Sequence, residues 1–239
     1  MAVIDPDLLL RAYSIGVFPM SDSRDADEVF WVEPRRRAIL PIDGFRMSRS
    51  LRKTIRSGTF RVSADEAFGQ VVRCCAAREE TWINSQIEQS FEELHRLGHA
   101  HSIECWQEER LVGGLYGVKL GGAFFGESMF STERDASKVA LAWLVARLKV
   151  GGFRLLDCQF MTEHLRSLGA IEITQKHYVS LLAAALSASP AAGAGAAGPV
   201  APPGVEFKAL DRLLAGDPSR TVDSAASGCV IAQLLGHTS

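Results

Sequence analysis

Two polar side chains interrupt a segment that otherwise reads as an apolar strand. Residues 154–159 are Arg-Leu-Leu-Asp-Cys-Gln. Because side chains alternate between the faces of a strand, Asp157 and Gln159 should lie on one face together with Leu155. A carboxylate is costly to bury without hydrogen-bonding partners. The pair therefore predicts either a polar site built into a sheet or a strand end that emerges into solvent.

A second buried carboxylate is predicted by Glu127, which lies in the most apolar segment of the chain, residues 123–130. Strand alternation places Glu127 on one face with Phe125 and Met129. A carboxylate in that position could bind an ammonium group beside an apolar pocket. The structural alternative is an internal salt bridge to an arginine.

The surrounding pattern predicts the elements that position these residues. Apolar segments at 101–106, 111–118 and 123–130 favour an antiparallel meander. They are preceded by two helices, the first behind a capping-box pattern at 63–66. A helix over 135–150, the strand 154–159, a helix over 162–168, a strand over 171–174 and a helix over 175–186 follow. This order is typical of an α+β protein with a mixed sheet covered by helices.

We expect three parts along the chain: a small N-terminal α/β domain over 1–62, a second domain over 63–186, and a tail over 187–239. Of the nineteen residues from 187 to 205, seventeen are Ala, Gly, Pro or Ser, which is a linker composition. A short amphipathic segment around Phe207 predicts at most weak docking. On this view the tail is mobile, and its deletion should leave function intact.

Composition limits the class of protein. The chain has 239 residues, of which 47% are hydrophobic and 23% charged, as in ordinary soluble globular proteins. No apolar run approaches the roughly 20 residues that span a bilayer, and no secretory leader is visible. The five cysteines lack paired spacing, which favours a reduced, cytoplasmic protein without a structural metal. The glycine fingerprints of nucleotide cofactors are absent from the sequence.

Charge is distributed unevenly despite a net charge of only −2. From Arg35 to Arg61 nine basic residues stand against one acid, Asp43. Such a segment can present a local positive surface on a nearly neutral protein. It predicts either a polyanion-binding surface or merely a solvated basic face.

Nine short motifs, weak individually, occur in one order along the chain: Tyr13–Pro19, Trp31–Arg35, Phe68–Gln70, Thr81–Ile83, Leu97–Glu104, Leu111–Gly117, Gly126–Ser131, Ala136–Lys138 and Asp157–Gln159. Together they resemble the leucyl/phenylalanyl-tRNA–protein transferase family over residues 5–186.

The resemblance implies a small N-terminal domain joined to a domain like that of GNAT-type N-acetyltransferases. It implies transfer of Leu or Phe, and less readily Met, from aminoacyl-tRNA to proteins that begin with Arg or Lys. The product would enter the N-end rule degradation pathway. No cofactor is implied, and we expect a monomer that acts away from membranes.

The resemblance also assigns roles to individual residues. Asp157 and Gln159 would form a catalytic pair, in which Asp157 orients Gln159 and Gln159 contacts the attacking amine. In the alternative account, the proton passes through the terminal ribose hydroxyl. Glu127 would face the donor's amino-acid group, beside an apolar pocket lined by Leu115, Phe124 and Trp143.

Further residues match positions that contact the tRNA. Tyr13 and Trp82 would lie near the terminal adenosine, and Met20 replaces the tryptophan that is usual in the family. Phosphates of the acceptor stem would be bound by the basic segment through Arg35, Arg46, Arg49, Arg52, Lys53 and Arg56.

Two other functions fit parts of the sequence. An acetyl-CoA-dependent N-acetyltransferase would share the fold, but residues 130–137 lack the glycines of a pyrophosphate loop. A non-catalytic RNA-binding adaptor would use the same basic segment and would not require Asp157 and Gln159.

Overall fold

A seven-stranded mixed sheet organises the computed structural model, which describes residues 3–187, 204–215 and 224–236. The strands are β1 Phe18–Met20, β2 Phe30–Val32, β3 Arg36–Ile39, β4 Arg61–Ala64, β5 Ala100–Gln107, β6 Arg110–Leu120, β7 Ala123–Ser131, β8 Leu155–Gln159 and β9 Ile171–Thr174. The helices are α1 Pro6–Ser14, α2 Arg49–Arg56, α3 Phe68–Ala76, α4 Ser85–Arg96, α5 Ala136–Val150, α6 Glu163–Ser167, α7 Gln175–Leu186, α8 Ala209–Ala215 and α9 Ser224–Leu234.

The strand order of the large sheet is β4-β5-β6-β7-β8-β3-β9. Neighbouring strands are antiparallel except β7 and β8, which run parallel and are connected by α5. A parallel connection needs a crossover, and a helix such as α5 is the usual one. The predicted meander and the α+β class with a mixed sheet are therefore confirmed.

Helix starts follow the sequence where a capping side chain is present. Asp5, Ser48 and Asn84 accept hydrogen bonds from backbone N–H groups in the first turns of α1, α2 and α4. The predicted capping box at 63–66 is wrong, because α3 begins after Ala67 without a side-chain cap. Ser63 lies in β4, and its hydroxyl donates to Glu104 at 2.7 Å.

The two faces of the sheet bury separate hydrophobic cores. One core contains Leu156 of β8 and packs beneath α2, α5, α8 and α9. The other contains Leu155 and packs beneath α1, α3, α4 and α7. Since these adjacent residues face opposite sides, the alternation expected of β8 holds at its start.

The N-terminal part combines α1 with a small two-stranded sheet formed by β1 and β2. The division predicted at residue 62 does not coincide with a break in the large sheet, because β3 pairs with β8 and β9 while β4 pairs with β5. No helix in the described part of the chain is long and apolar enough to cross a membrane.

The C-terminal segment, defined as residues 204–215 and 224–236, packs into the core. Phe207, Leu210, Ile231, Ala232 and Leu235 are buried in the same cluster as α5. The prediction of a mobile, weakly docked tail is therefore wrong for these residues, because their apolar side chains meet a long-range core surface. Most of the Ala/Gly/Pro-rich stretch lies outside the described residues.

Candidate active site

A cavity of about 370 Å³ opens beside the carboxyl end of β8. Its apolar lining comes from Leu115, Met129, Leu141, Leu144, Leu156 and Leu165. Glu127, Cys158 and Gln159 are among the polar residues, and Trp82 and Phe160 contribute aromatic rings. An apolar cavity with a few polar groups is the usual form of a small-molecule site.

Glu127 reaches the cavity from an irregularity in β7. Tyr116 pairs with Ser128 and Gly117 with Gly126, so Glu127 is the extra residue of a β-bulge. Bulges commonly redirect a side chain beside an active site. Glu127 is 7% exposed, and its carboxylate accepts hydrogen bonds at 2.8 Å from Tyr13 Oη and from Gln159 Nε2.

Gln159 adopts an unusual backbone conformation at the end of β8. Its φ is +60°, in the left-handed region that costs a non-glycine residue free energy. The pairing of β8 with β3 is also irregular at Cys158. The Gln159 backbone N–H donates to Asp157 Oδ1 at 2.8 Å, which holds this conformation.

This geometry overturns the expected alternation of β8. Gln159 lines the cavity with Leu156 and Cys158, whereas Asp157 does not. The side-chain amide of Gln159 donates to Glu127, so the predicted orientation of that amide by Asp157 is wrong. Asp157 instead holds the main chain of Gln159.

Asp157 is fully buried and pairs with Arg37. Arg37 Nε lies 2.9 Å from Oδ1, Arg37 Nη2 lies 2.5 Å from Oδ2, and Tyr178 Oη donates to Oδ2 at 2.8 Å. Phe18 and Tyr178 stack on the guanidinium at 4.7 and 4.5 Å. A buried carboxylate with this many partners is a rigid support for the end of β8.

Burial shifts the protonation equilibria of the network. It raises the pKa of Glu127 to about 7, and the hydrogen bonds from Gln159 and Tyr13 oppose this shift. Burial also raises the pKa of Tyr13 well above its usual value, so this phenol remains a donor. Burial lowers the pKa of Arg37, but Asp157, Tyr178 and Glu127 together raise it by more, so the guanidinium stays charged.

The structure separates the three predicted residues of the apolar pocket. Leu115 lines the cavity, but Phe124 and Trp143 do not. Phe124 stacks on Phe207 at 5.7 Å, and Trp143 is 7% exposed within the core. The prediction for these two aromatic residues is wrong, because the sequence does not show which side of an almost wholly buried helix or strand faces the cavity.

Only one of the three predicted adenosine-binding residues lines the cavity. Trp82 lines the cavity, whereas Tyr13 is fully buried and its ring packs on Phe125 at 4.9 Å. Tyr13 cannot stack on a base without unpacking, so the structure contradicts that role. Met20 is half-buried in β1 and does not line the cavity.

The six predicted phosphate ligands, Arg35, Arg46, Arg49, Arg52, Lys53 and Arg56, are all exposed. Four of them, on α2, surround one shallow depression together with Ser57. None of the six forms an ion pair with another described residue. The basic segment is not uniform, however, because Arg37 is buried and Arg61 pairs with Glu66.

Sequence reasoning missed Arg37, Phe160 and Tyr178. Arg37 lies in a run of three arginines, and nothing in the sequence distinguishes this buried residue from exposed Arg36. Phe160 directly follows Gln159 and is 45% exposed. Among the described residues, no group of three or more His, Cys, Asp or Glu side chains could hold a metal ion.

Comparisons with known proteins identify relatives over the whole chain. The family models described as leucyl/phenylalanyl-tRNA protein transferase and its N-terminal domain match residues 39–183 and 3–35. Proteins named leucyl/phenylalanyl-tRNA–protein transferase are similar in Rhizorhabdus wittichii (65% identity, 100% of both chains) and in Novosphingobium aromaticivorans (52%, 99% of this chain and 97% of the relative).

A protein of the same name from Zymomonas mobilis is 62% identical over 77% of this chain and 70% of its own. The crystal structure of FemX aligns with a TM-score of 0.45 and 12% identity, covering 70% of this chain and 66% of that one. The two family models together account for most of the chain up to residue 183. The chain therefore belongs to the leucyl/phenylalanyl-tRNA–protein transferase family.

Proposed function

We propose that this protein transfers Leu or Phe, and less readily Met, from aminoacyl-tRNA to the N-terminal Arg or Lys of an acceptor protein. The observation that carries the proposal is an apolar cavity with Glu127 and Gln159 at its polar side. Membership of the family supports the reaction class. The modified protein would then be a substrate of the N-end rule pathway.

The donor's side chain would occupy the apolar part of the cavity. Its leucine and methionine lining offers no hydrogen bond to a polar side chain. It can make apolar contacts with Leu, Phe and Met alike. A hydrophobic pocket separates such side chains by only about 1–3 kcal/mol per methylene group. Overlapping donor specificity is therefore the expected behaviour.

Glu127 would act on the amines. An acceptor α-ammonium has an ordinary pKa near 8 and must lose a proton before it attacks. A carboxylate with a pKa of about 7 is suited to accept that proton at neutral pH. The neutral amine nitrogen then bonds to the ester carbonyl carbon, and the bond to the ribose oxygen breaks. The second proton of the amine passes to that oxygen, and the proton held by Glu127 is released to solvent.

Gln159 and Asp157 would have different roles in this reaction. Gln159 lines the cavity and can contact the reacting groups directly. Asp157 does not reach the cavity and would act as a positioning residue, because it fixes the strained backbone of Gln159. Neighbouring Arg37 and Tyr178 would serve the same purpose through Asp157.

Trp82 and Phe160 would hold the terminal adenosine. Both line the cavity, and stacking of a base on an aromatic ring is worth roughly 1–3 kcal/mol. Phe160 would supply the aromatic surface that Met20 does not. The exposed cations of the basic segment would bind acceptor-stem phosphates, since such contacts need no base recognition.

We also propose a GNAT-like arrangement for residues 63–186, supported by the meander that leads through α5 into a parallel strand. The five cysteines form no disulfide, which fits the reducing cytoplasm. We further propose a monomer that acts without a cofactor, in line with a cavity lined by residues of a single chain.

A transfer assay tests the proposal. Purified protein is mixed with labelled Phe-tRNA and a peptide that begins with Arg, and a parallel reaction contains labelled acetyl-CoA. We expect label in the peptide only from Phe-tRNA, with no transfer to a peptide whose N-terminus is acetylated. Incorporation from acetyl-CoA alone would instead establish an acetyltransferase.

A further inference from the structure

The C-terminal segment lies beyond both family models, which match residues 3–35 and 39–183. The similarity to the Rhizorhabdus wittichii protein spans the whole chain, whereas that to the Zymomonas mobilis protein spans 77% of it. Some relatives thus match this chain over its full length, and others match only part of it. The contacts between the C-terminal segment and the rest of the protein indicate its role.

Helix α9 packs directly on α2. A Cβ atom at Gly228 would lie 2.0 Å from the carbonyl oxygen of Ile55. Only glycine permits this approach of two backbones. Ile231 of α9 and Leu235, which directly follows the helix, join Leu51 and Ile55 in one buried cluster.

Ahead of α9, two contacts anchor the segment to α5 and the sheet. Arg147, which is 3% exposed, donates to the Phe207 carbonyl at 3.0 Å and to Asp211 at 2.7 Å and 2.5 Å. The Phe207 ring stacks on His101 at 4.0 Å. The segment is therefore fixed at both ends of its described part.

The contact with α9 determines how α2 presents its charges. Leu51 and Ile55 are buried on one side of α2, and Arg49, Arg52, Lys53 and Arg56 are exposed on the other. A helix of eight residues is marginal by itself and takes its stability from packing. Without α9, the inner face of α2 would lose much of its cover.

We infer that the C-terminal segment is a positioning element for tRNA binding, which holds α2 so that its four cations meet the acceptor stem together. The inference rests on the proposed binding of tRNA phosphates by α2. Gly228 is its central residue, since it sets the distance between the two helices. No contact between the segment and the tRNA is required.

The test compares two donors in the full-length protein. One is Phe-tRNA, and the other is phenylalanyl-adenosine, which carries the ester but no acceptor stem. Alanine has a higher intrinsic helix propensity than glycine, so a loss in Gly228→Ala would come from the contact of α9 with the backbone of α2 at Ile55. Gln233→Ala, on the exposed side of α9, is the matched control.

We expect Gly228→Ala to raise KM for Phe-tRNA about tenfold and to flatten its salt dependence, as the loss of one or two phosphate contacts would. Both kcat and KM for phenylalanyl-adenosine should remain within about twofold of wild type, a difference that corresponds to less than RT. Should Gly228→Ala fail to fold, Asp211→Asn loosens the anchor at Arg147 instead and should give the same split between donors.

Equal losses with both donors would overturn the inference, because they indicate a general effect on the fold. Unchanged kinetics with both donors would overturn it too. A variant that lacks Arg49, Arg52 and Arg56 separates the two proposals. If that variant binds tRNA normally, α2 is not the tRNA-binding element. If it binds weakly while Gly228→Ala and Asp211→Asn bind normally, only the positioning role fails.

Discussion

The side-chain amide of Gln159 donates a 2.8 Å hydrogen bond to Oε2 of Glu127, joining the end of β8 to the bulge of β7. Each partner depends on an irregular backbone, a left-handed residue in one strand and an extra residue in the other. Tyr13 donates to the other carboxylate oxygen, Oε1, so the ionised form of Glu127 accepts a hydrogen bond at each oxygen. Protonation of Glu127 must disturb one of these two bonds.

The rate of transfer should depend on the ionisation of Glu127. Because the pKa of Glu127 is raised to about 7, kcat/KM should rise between pH 6 and 8 and level off above that range. Glu127→Gln removes the base and should lower kcat by about 10²–10⁴-fold. The measurement is a pH–rate profile with a peptide whose amine titrates separately. A Gln variant with the wild-type rate and profile would exclude Glu127 as the base.

The same carboxylate should affect stability in a defined pH range. The folded-state pKa of Glu127 lies above its ordinary value of 4.5, so the folded protein binds the proton more tightly. The associated stabilisation is complete below about pH 4.5 and is lost as pH rises towards 7. Glu127→Gln should remove this part of the pH dependence. Free energies of unfolding from urea titrations at pH 5 and pH 8 provide the comparison.

Breaking the buried ion pair between Arg37 and Asp157 should lower the free energy of unfolding. Asp157→Ala leaves the charge of Arg37 without a partner, although the Arg37 side chain is only 1% exposed. This change should destabilise the fold by about 3–5 kcal/mol. The double variant Arg37→Met, Asp157→Leu removes both charges and should cost less than the single change. Transfer should fall in both variants, because the backbone of Gln159 loses its acceptor. A urea titration in which Asp157→Ala unfolds like wild type contradicts this account.

Donor preference should change with the volume of the cavity. Leu144→Phe fills part of the apolar cavity and should lower kcat/KM for Phe-tRNA relative to Leu-tRNA by about tenfold, which corresponds to about 1.4 kcal/mol. Trp143→Phe, at the neighbouring position that does not line the cavity, is the control and should leave the ratio unchanged. Competition between the two labelled donors measures the ratio directly. A shift in the control but not in Leu144→Phe would place the specificity pocket elsewhere.

The exposed cations of α2 should control the salt dependence of tRNA binding. Each phosphate contact contributes about 0.9 to the slope of log K against log salt on a duplex. Replacing Arg49, Arg52 and Arg56 by Ala should therefore reduce the slope by about 2–3. Arg96→Ala removes an exposed cation that is paired with Glu93 on α4 and serves as the control. Equal slopes for wild type and the triple variant would locate the tRNA elsewhere.

Local sequence patterns were sufficient for most of the secondary structure. The meander followed from apolar segments separated by short turns, and α5 followed from a continuous apolar run that ends in Gly151. The capping box at 63–66 failed because Ser63 finds a better partner in Glu104 across β4 and β5. A side chain that can cap a helix can equally satisfy a buried group in a sheet, and only the tertiary contacts decide between these uses.

The candidate site was predictable in its residue types and not in its geometry. The types of Glu127, Asp157 and Gln159 stood out because carboxylates and amides in apolar strands need partners. The alternation rule then placed Asp157 and Gln159 together, and the φ of +60° at Gln159 overturned it. Composition likewise predicted a mobile tail, although Phe207 and Ile231 find their partners far away in the chain.

By itself, the sequence determined the family, the order of helices and strands, and which polar residues needed an explanation, because these depend on local periodicity and on the identity of short motifs. The tertiary structure decided which side chains face the cavity, which arginine neutralises Asp157, and that the C-terminal segment belongs to the core. These outcomes depend on bulges, on one left-handed residue and on contacts between distant segments, whose free energies arise only when the whole chain is packed.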